Sequence, residues 1–128
     1  MNILSRAPKH PAHLLGEQAE HLAARNLSER GFRILGTNWS CSRGEIDIIA
    51  TKGTTVHFIE VKGQAAERTG FAAHQRADAG KMRRVARAAR AWLYAHGREP
   101  DCGWQMDIME LTVGRDTAHI RHFMGVGD

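Results

Sequence analysis

The chain has few cysteines, few aromatic residues and no long apolar run. Cys41 and Cys102 are the only cysteines among 128 residues, and they do not form a CxxC motif. Two isolated cysteines favour a reduced pair, although a single disulfide is the open alternative. No stretch approaches the roughly 20 apolar residues that cross a bilayer, and the N-terminal residues lack the apolar core of a secretory signal. We therefore expect a cytoplasmic protein with no membrane partner.

Histidine is abundant, with eight residues, but its spacing does not indicate zinc. His10 and His13 form one close pair, and His119 and His122 form another. Neither pair lies beside a cysteine pair with the spacing of a zinc finger. The sequence therefore argues against a structural zinc site.

Positive charge is concentrated in one part of the chain. The formal net charge is +4, yet the segment from Lys62 to Arg98 holds nine Lys or Arg against two acids. The rest of the chain holds nine bases against twelve acids. Such a distribution suits a polyanionic partner, nucleic acid before membrane, although a solvated helix face produces the same pattern.

Hydrophobic periodicity predicts an irregular arm over residues 1–12 and a single α/β domain over residues 13–128. A helix is predicted from about His13 to Arg30 and a second from about Asp78 to His96, each with apolar residues three and four apart. Strands are predicted around 32–35, at IDIIA, at VHFIEVK, at WQMDIMEL and, more briefly, at HIRHF. The segment that follows Lys62 has no clear period and is predicted to be a long loop. The order helix, three strands, helix, strand predicts a sheet flanked by helices.

Charged residues interrupt the two apolar strands of the central hairpin. Glu45 and Asp47 share one side of the first strand, and Glu60 and Lys62 share one side of the second. In a hairpin, Asp47 and Glu60 come close enough to share a ligand. Two carboxylates in a partly dry pocket repel each other, and a bound divalent cation removes that repulsion. Oxygen ligands without cysteine favour Mg²⁺ or Mn²⁺ over zinc.

The lysine beside these acids completes a set suited to phosphodiester hydrolysis. Lys62 can hold an attacking water or a phosphate through its three donors, and a dication lowers the pKa of a bound water. On the first helix, Glu20 lies at the edge of the apolar stripe, whereas Glu17 points further away. A structural interpretation stands beside this one, because an ExK sequence on a strand is commonly a surface ion pair.

Two further acids lie in the fourth predicted strand. Glu110 is expected to face solvent. Asp107 lies inside the apolar MDIM run, and we expect it to support the basic helix or a neighbouring backbone group. Both are interpreted as structural.

The chain resembles the YraN or UPF0102 family, a group of small bacterial proteins predicted to be nucleases. The resemblance covers roughly residues 14–125 and rests mainly on GEID at 44–47, FIEVK at 58–62 and MDI at 106–108. Further matching positions are Gly16, Glu20, Ala23, Leu27, Gly31, Asn38 and Lys81. The family is similar to archaeal Holliday-junction resolvases and to PD-(D/E)XK nucleases. This similarity implies a restriction-endonuclease-like core, α-β-β-β-α-β, with a mixed central sheet.

The resemblance also implies roles for individual residues. By that similarity Asp47 and Glu60 are ligands for Mg²⁺ or Mn²⁺, Lys62 is the catalytic lysine, and Glu20 is the helix acid that assists the metal. Glu45 belongs to the GEID signature and is a candidate to support the metal ligands without contacting the metal itself. The family's usual Gly is Ala19 here, and an Arg commonly found two positions after the lysine is Gln64. If that Arg contacts phosphate, Gln64 removes one contact.

The expected function is that of a metal-dependent endonuclease on structured or branched DNA, with a homodimer as a natural arrangement for two strands. Backbone contacts are expected to dominate over base stacking, because few aromatic residues are available and Trp92 belongs to the core. The expected nucleic-acid contacts are Arg68, Arg76, Lys81, Arg83, Arg84 and Arg87. The alternative is a nucleic-acid-binding or assembly module with the same fold and no turnover.

Overall fold

The computed structural model describes residues 11–66, 79–98 and 102–127, which form a five-stranded sheet with a helix on each face. The elements are α1 (Pro11–Glu29), β1 (Arg33–Cys41), β2 (Gly44–Lys52), β3 (Thr55–Ala65), α2 (Ala79–Ala95), β4 (Trp104–Val113) and β5 (Ala118–Phe123). The predicted order of helices and strands is confirmed, with β5 added at the edge of the sheet.

The strands lie side by side in chain order. β1 and β2, β2 and β3, and β4 and β5 are antiparallel neighbours, whereas β3 and β4 run parallel. Parallel neighbours need a crossover connection, and α2 lies in that connection. The sheet is therefore mixed, as predicted, and its arrangement is that of a restriction-endonuclease-like core.

Alternation of side chains along the central strands produces two separate apolar clusters. Phe58 and Ile108 point to the face that α2 covers, whereas their neighbours Ile59 and Met109 point to the face that α1 covers. The buried stripe predicted for α2 is confirmed at Met82, Val85, Ala86, Ala89, Trp92 and Leu93, and Ala88 is buried in addition. α1 buries Ala19, Ala23 and Leu27. The sheet is thus apolar on both faces, as the near-continuous apolar runs of β2 and β3 require.

Some element boundaries differ from the prediction. β1 does not end at Leu35 but continues to Cys41, because a register shift between Ile34 and Gly36 and a left-handed Asn38 (φ 52°) absorb the irregular backbone. α1 begins at Pro11, two residues earlier than expected. β3 continues to Ala65, so the first residues of the predicted loop are strand. The central part of that loop and most of the predicted N-terminal arm lie outside the described residues.

Two glycines determine how closely the helices approach the sheet. Gly44 has φ +153°, and a Cβ added to it would lie 3.1 Å from the backbone oxygen of Arg84 in α2. A Cβ on Gly63 would lie 2.6 Å from the Cβ of Ala19 in α1. Glycine at both positions therefore lets the helix backbones rest close to β2 and β3.

The two cysteines and the two helices can be compared with the sequence-based expectations. Cys41 and Cys102 are free thiols, half-buried against the apolar cluster below α2. Neither helix in the described ranges has the length and apolar character of a bilayer-crossing segment.

Candidate functional site

The central hairpin opens at Asp47, and the Asp47 carboxylate occupies the opening. Backbone pairing between β2 and β3 ends at Ile48 and Ile59. One residue further, the Oδ2 atom of Asp47 accepts a hydrogen bond of 2.8 Å from the backbone N–H of Val61. A side chain thus replaces the backbone partner that the ladder would have supplied.

Loss of this pairing changes the direction of the side chains of β2. Regular alternation predicts that Ile46 and Ile48 share a face, but the structure places Ile46 in the cluster below α2 and Ile48 in the cluster below α1. That prediction is wrong, and the change of face coincides with the point where β2 pairs with β1 alone, before Ile48. Asp47 lies at this change of direction and borders cavities on both sides.

The environment of Asp47 disfavours its charge. The pKa of its carboxyl is raised to about 6, mainly by burial and additionally by the nearby charges of Glu20 and Glu60. The hydrogen bond from Val61 and the charge of Lys81 act in the opposite direction. Asp47 is therefore close enough to Glu20 and Glu60 for their charges to act on it, as the hairpin geometry predicts.

Glu60 is a buried carboxylate with a cationic partner on α2. Its side chain is 5% exposed, and it forms an ion pair with the Nζ of Lys81, whose own side chain is 50% exposed. The hydrogen bond to Glu60 is the largest of the effects that raise the pKa of Lys81. Lys81 reaches Glu60 because α2 begins directly above this end of β3, where Gly44 lets the helix approach. The structure therefore places Lys81 within the carboxylate cluster.

Glu20 projects from α1 toward the same region. Burial raises the pKa of its carboxyl, a hydrogen bond from the Asn38 side chain lowers it, and the charges of Glu17 and Glu45 raise it again. The left-handed backbone of Asn38 turns this side chain toward the helix. Glu20 is half-buried and Glu17 exposed, which agrees with the prediction that Glu20 is the inward acid of the pair.

Two cavities meet at Asp47. The larger, about 270 Å³, opens between α1 and the first two strands. Its lining is Glu17, Glu20, His21, Ala24, Thr37, Asn38, Asp47 and Ile48. The smaller, about 20 Å³, lies below α2 and is lined by Glu45, Ile46, Asp47, Ile59, Glu60, Lys81 and Val85. Five carboxylates therefore line one continuous stretch of surface, which we call the acidic cleft.

The other expected site residues are less closely associated with the acidic cleft. Lys62 is half-buried on β3 beside Glu110 of β4, and it is not among the described residues that line the two cavities. Arg83, Arg84 and Arg87 are exposed on α2. Arg68 and Arg76 lie outside the described residues. Gln64 is half-buried on β3.

The donor chemistry of the acidic cleft fits a hard dication. Its five carboxylates supply the oxygen ligands that Mg²⁺ and Mn²⁺ prefer, and none of the described residues that line it is a cysteine. A dication beside Asp47 would reverse the unfavourable effect of the neighbouring negative charges. Within the described part of the chain, no three side chains from His, Cys, Asp and Glu are already gathered as a metal-binding group. The fit is thus to a cation held by one or two carboxylates that keeps several of its waters.

Sequence patterns alone did not place Lys81 and Asn38 at this site. Lys81 was assigned to the nucleic-acid surface, because its distance from Glu60 depends on the crossover of α2 and not on local spacing. Asn38 carried two usable signals, since it matches the family pattern and Asn is enriched among left-handed residues.

Asp107 and Glu110 have structural surroundings on β4. Asp107 is fully buried and accepts hydrogen bonds of 2.7 Å from His57 Nδ1 and His122 Nε2, as well as from Gln105 and the backbone of Gly125. Burial alone would raise its pKa, but these hydrogen bonds lower it to about 2. The hydrogen bond from the backbone of Gly125 agrees with the prediction that Asp107 supports a neighbouring backbone group. The other partners of Asp107 include two histidines and not the basic helix.

Glu110 does not face solvent, so that expectation is wrong. It is 4% exposed, and its Oε1 lies 3.7 Å from the Nε of Arg121 on β5. Glu110 pairs across the sheet with Arg121 of β5, and the pattern of β4 alone gives no sign of this neighbour. The carboxylate thus lies beside a cation of the edge strand.

The fold and the acidic cleft together define a class: restriction-endonuclease-like α/β domains with carboxylates at the open end of the central hairpin. Within this class the chain belongs to the uncharacterised protein family UPF0102, whose model matches residues 19–111. The resemblance noted from GEID and FIEVK is therefore confirmed.

Individual relatives cover most of the chain. A UPF0102 protein of Mycobacterium ulcerans is 40% identical over an alignment of 119 residues, and the match covers 88% of this chain and 93% of the relative. A UPF0102 protein of Streptomyces griseus is 39% identical over 115 residues, with 88% and 94% covered. A UPF0102 protein of Chlorobium limicola is 39% identical over 115 residues, with 89% and 88% covered.

Proposed function

We propose that this chain is a metal-dependent nuclease that hydrolyses phosphodiester bonds, with structured or branched DNA as its substrate. One observation supports this most directly: Asp47 and Glu60 meet where the central hairpin opens, and Asp47 is disfavoured as an anion there unless a cation is added. A purely structural carboxylate would instead be expected to have its pKa lowered by its partners, as Asp107 does.

In this proposal Asp47 and Glu60 hold Mg²⁺ or Mn²⁺, and Glu20 assists from α1. When bound, the ion would supply a lowered water pKa and would offset negative charge on the phosphorus-centred transition state. Lys62, on the same face of β3 as Glu60, orients the attacking water or the attacked phosphate with its ammonium donors. Glu45 acts through the charges that it places beside Glu20 and Lys81.

Lys81 has two successive tasks in the same proposal. In the metal-free protein its ammonium balances the buried charge of Glu60. With a dication in that place, the half-exposed Lys81 side chain would instead meet a phosphate of the nucleic acid. The exposed Arg83, Arg84 and Arg87 of α2 then extend the positive surface along the nucleic-acid backbone. A homodimer that works in the cytoplasm on two strands of one branch completes the proposal.

The ion pair itself favours the second candidate, a nucleic-acid-binding or assembly module without turnover. If Lys81 balances Glu60 permanently, no metal is needed and the acidic cleft is a structural feature. The two candidates differ in one measurable property, which is the affinity of the acidic cleft for a dication.

The test combines metal binding with cleavage. Calorimetric titration with Mn²⁺ should show binding to the wild type and a loss of binding in Glu60→Gln. Glu29→Gln is the matched control, because Glu29 is exposed at the end of α1 and pairs only with Arg25 among the contacts that the described residues show at that carboxylate. Branched, duplex and single-stranded DNA are then incubated with each protein and Mn²⁺.

Cleavage of branched DNA by the wild type and by Glu29→Gln, but not by Glu60→Gln, is the expected result. Binding of Mn²⁺ without cleavage of any substrate would support the non-catalytic module instead. Equal Mn²⁺ binding by all three proteins would remove Glu60 from the proposed centre and overturn the nuclease proposal.

A further inference from the structure

Another cavity lies at the opposite end of α2 from Lys81. It has a volume of about 280 Å³ and is lined by Arg90, Leu93, Tyr94, Arg98 and Trp104. Lys81 and Tyr94 are thirteen residues apart on one helix, which corresponds to about 20 Å along the helix axis. We call this cavity the Tyr94 pocket, and it is separate from the acidic cleft.

Tyr94 is unusually exposed for a large aromatic side chain. Its exposed fraction is 88%, and the only other large apolar side chain that stands out among the described residues is Met124, at 51%. Trp104, on the other side of the pocket, is half-buried and packs edge-on against Phe58, with ring centroids 5.7 Å apart. One wall of the pocket is thus rigid, and the other offers an aromatic ring to solvent.

Two guanidinium groups accompany these rings. The Arg90 guanidinium lies 5.6 Å from the centroid of Trp104, and that of Arg98 lies 5.9 Å from the centroid of Trp92. Trp92 itself is buried, so it supports Arg98 from below. The five described residues that line the pocket include two cations and no acid. A ligand for this pocket should therefore carry a flat apolar face and a negative charge.

We propose that the Tyr94 pocket binds one unpaired nucleotide of a single-stranded nucleic-acid segment. The base stacks on the Tyr94 ring or against the Arg90 and Trp104 pair, and the adjoining phosphate meets Arg98. Stacking of a base on an aromatic side chain is tolerant of sequence because every base has a π-face. A duplex keeps its base faces inside its own stack, so it cannot use the pocket in this way. The cavity is small for a ligand site, which limits it to about one nucleotide.

This assignment departs from the sequence-based expectation that base stacking contributes little. That expectation rested on the burial of Trp92, which the structure confirms. Tyr94 follows Trp92 by two residues, and Trp104 follows it by twelve. Tyr94 and Trp104 line one pocket only because the chain returns to the sheet in β4. The proposal does not depend on cleavage or on a metal in the acidic cleft.

The experiment measures binding of a labelled single-stranded oligonucleotide and of a labelled duplex of equal length to the full chain, by fluorescence anisotropy with EDTA present. Tyr94→Ala should weaken single-strand binding about tenfold and leave duplex binding unchanged, whereas Tyr94→Phe should bind both as the wild type does. A tenfold change corresponds to about 1.4 kcal/mol, within the usual range for one stacked base. Because Tyr94 is exposed, its replacement should leave the melting temperature unaltered.

Charge is tested separately from stacking. Arg98→Ala should also weaken single-strand binding, by more than Arg115→Ala, a matched removal of an exposed arginine from the turn before β5. Equal loss of single-strand and duplex binding in Tyr94→Ala would reduce the pocket to a general basic surface and overturn the proposal. So would unchanged single-strand binding, absence of binding by the wild type, or a change in oligomeric state as the sole effect of Tyr94→Ala.

Discussion

Replacement of Asp47 by asparagine should stabilise the metal-free protein at neutral and alkaline pH. The ordinary pKa of 3.8 for this carboxyl is raised to about 6 in the folded state. A carboxyl with a raised folded pKa contributes stability below its unfolded pKa, and that contribution is lost as the pH rises through the folded pKa. Wild-type protein above pH 6 therefore carries an unfavourable charge that Asp47→Asn lacks.

The magnitude follows from the size of the pKa change. A rise of about 2 units, at about 1.4 kcal/mol per unit, sets an upper bound of about 3 kcal/mol at pH 8. Asp47 is only partly buried and solvent screens its neighbours, so about 1–2 kcal/mol is the expected gain in free energy of unfolding. The asparagine keeps a carbonyl oxygen, which can still accept the hydrogen bond from Val61.

Urea unfolding in EDTA at pH 8 and pH 4 measures this gain directly. Asp47→Asn should be more stable than the wild type at pH 8, and the difference should fall below about 1 kcal/mol at pH 4, where most of the penalty has vanished. Asp116→Asn provides the matched control, because Asp116 is exposed in the turn before β5. A gain of the same size at both pH values, or no gain at pH 8, would show that the charge of Asp47 does not destabilise the folded state.

Three further changes test other parts of the structure. Lys81→Met should lower the free energy of unfolding of the metal-free protein by about 1–3 kcal/mol, because it leaves the buried Glu60 charge unbalanced. The same variant should bind Mn²⁺ more tightly in calorimetry, whereas the control Arg83→Met should change neither property. Asp107, whose pKa is lowered to about 2, contributes stability that is present above pH 3.8 and lost as the pH falls through 2. Between pH 5 and pH 2 the free energy of unfolding of the wild type should therefore fall by about 2 kcal/mol more than that of Asp107→Asn. Equal falls for the two proteins in urea unfolding would contradict this assignment. Gly63→Ala should destabilise the protein by about 1–3 kcal/mol, because the added methyl group overpacks against Ala19. Gly16→Ala has open space around it and should stabilise α1 by up to about 1 kcal/mol. The melting temperatures of the two variants must therefore shift in opposite directions.

Local patterns predicted the elements of this fold well, because its helices and strands have strong periodicity. The apolar stripe of α2 and the alternation of VHFIEVK each identify an element without reference to the rest of the molecule. The approach of Asp47 to Glu60 followed from the hairpin, since a short turn fixes the register of two neighbouring strands. These predictions needed only contacts between neighbours in sequence.

Contacts that cross the sheet could not be predicted in the same way. The ion pair between Glu60 and Lys81 depends on where the crossover returns, and the burial of Glu110 depends on how β5 covers β4. The divergence of Ile46 from Ile48 arises because β2 loses one partner strand before the other. In each case the deciding contact depends on how two elements pair or pack, which the apolar pattern of either element alone does not record.

The glycine of the GEID segment has a consequence for how this protein can vary. Gly44 carries no functional group, yet it fixes the separation between the first turns of α2 and the strand that bears Asp47. A methyl group there would shift the helix by a few tenths of an ångström and carry the ammonium of Lys81 away from its carboxylate. Substitutions at this position should therefore resemble replacement of Lys81 in assays of stability and of metal binding, although the altered atom belongs to a different residue.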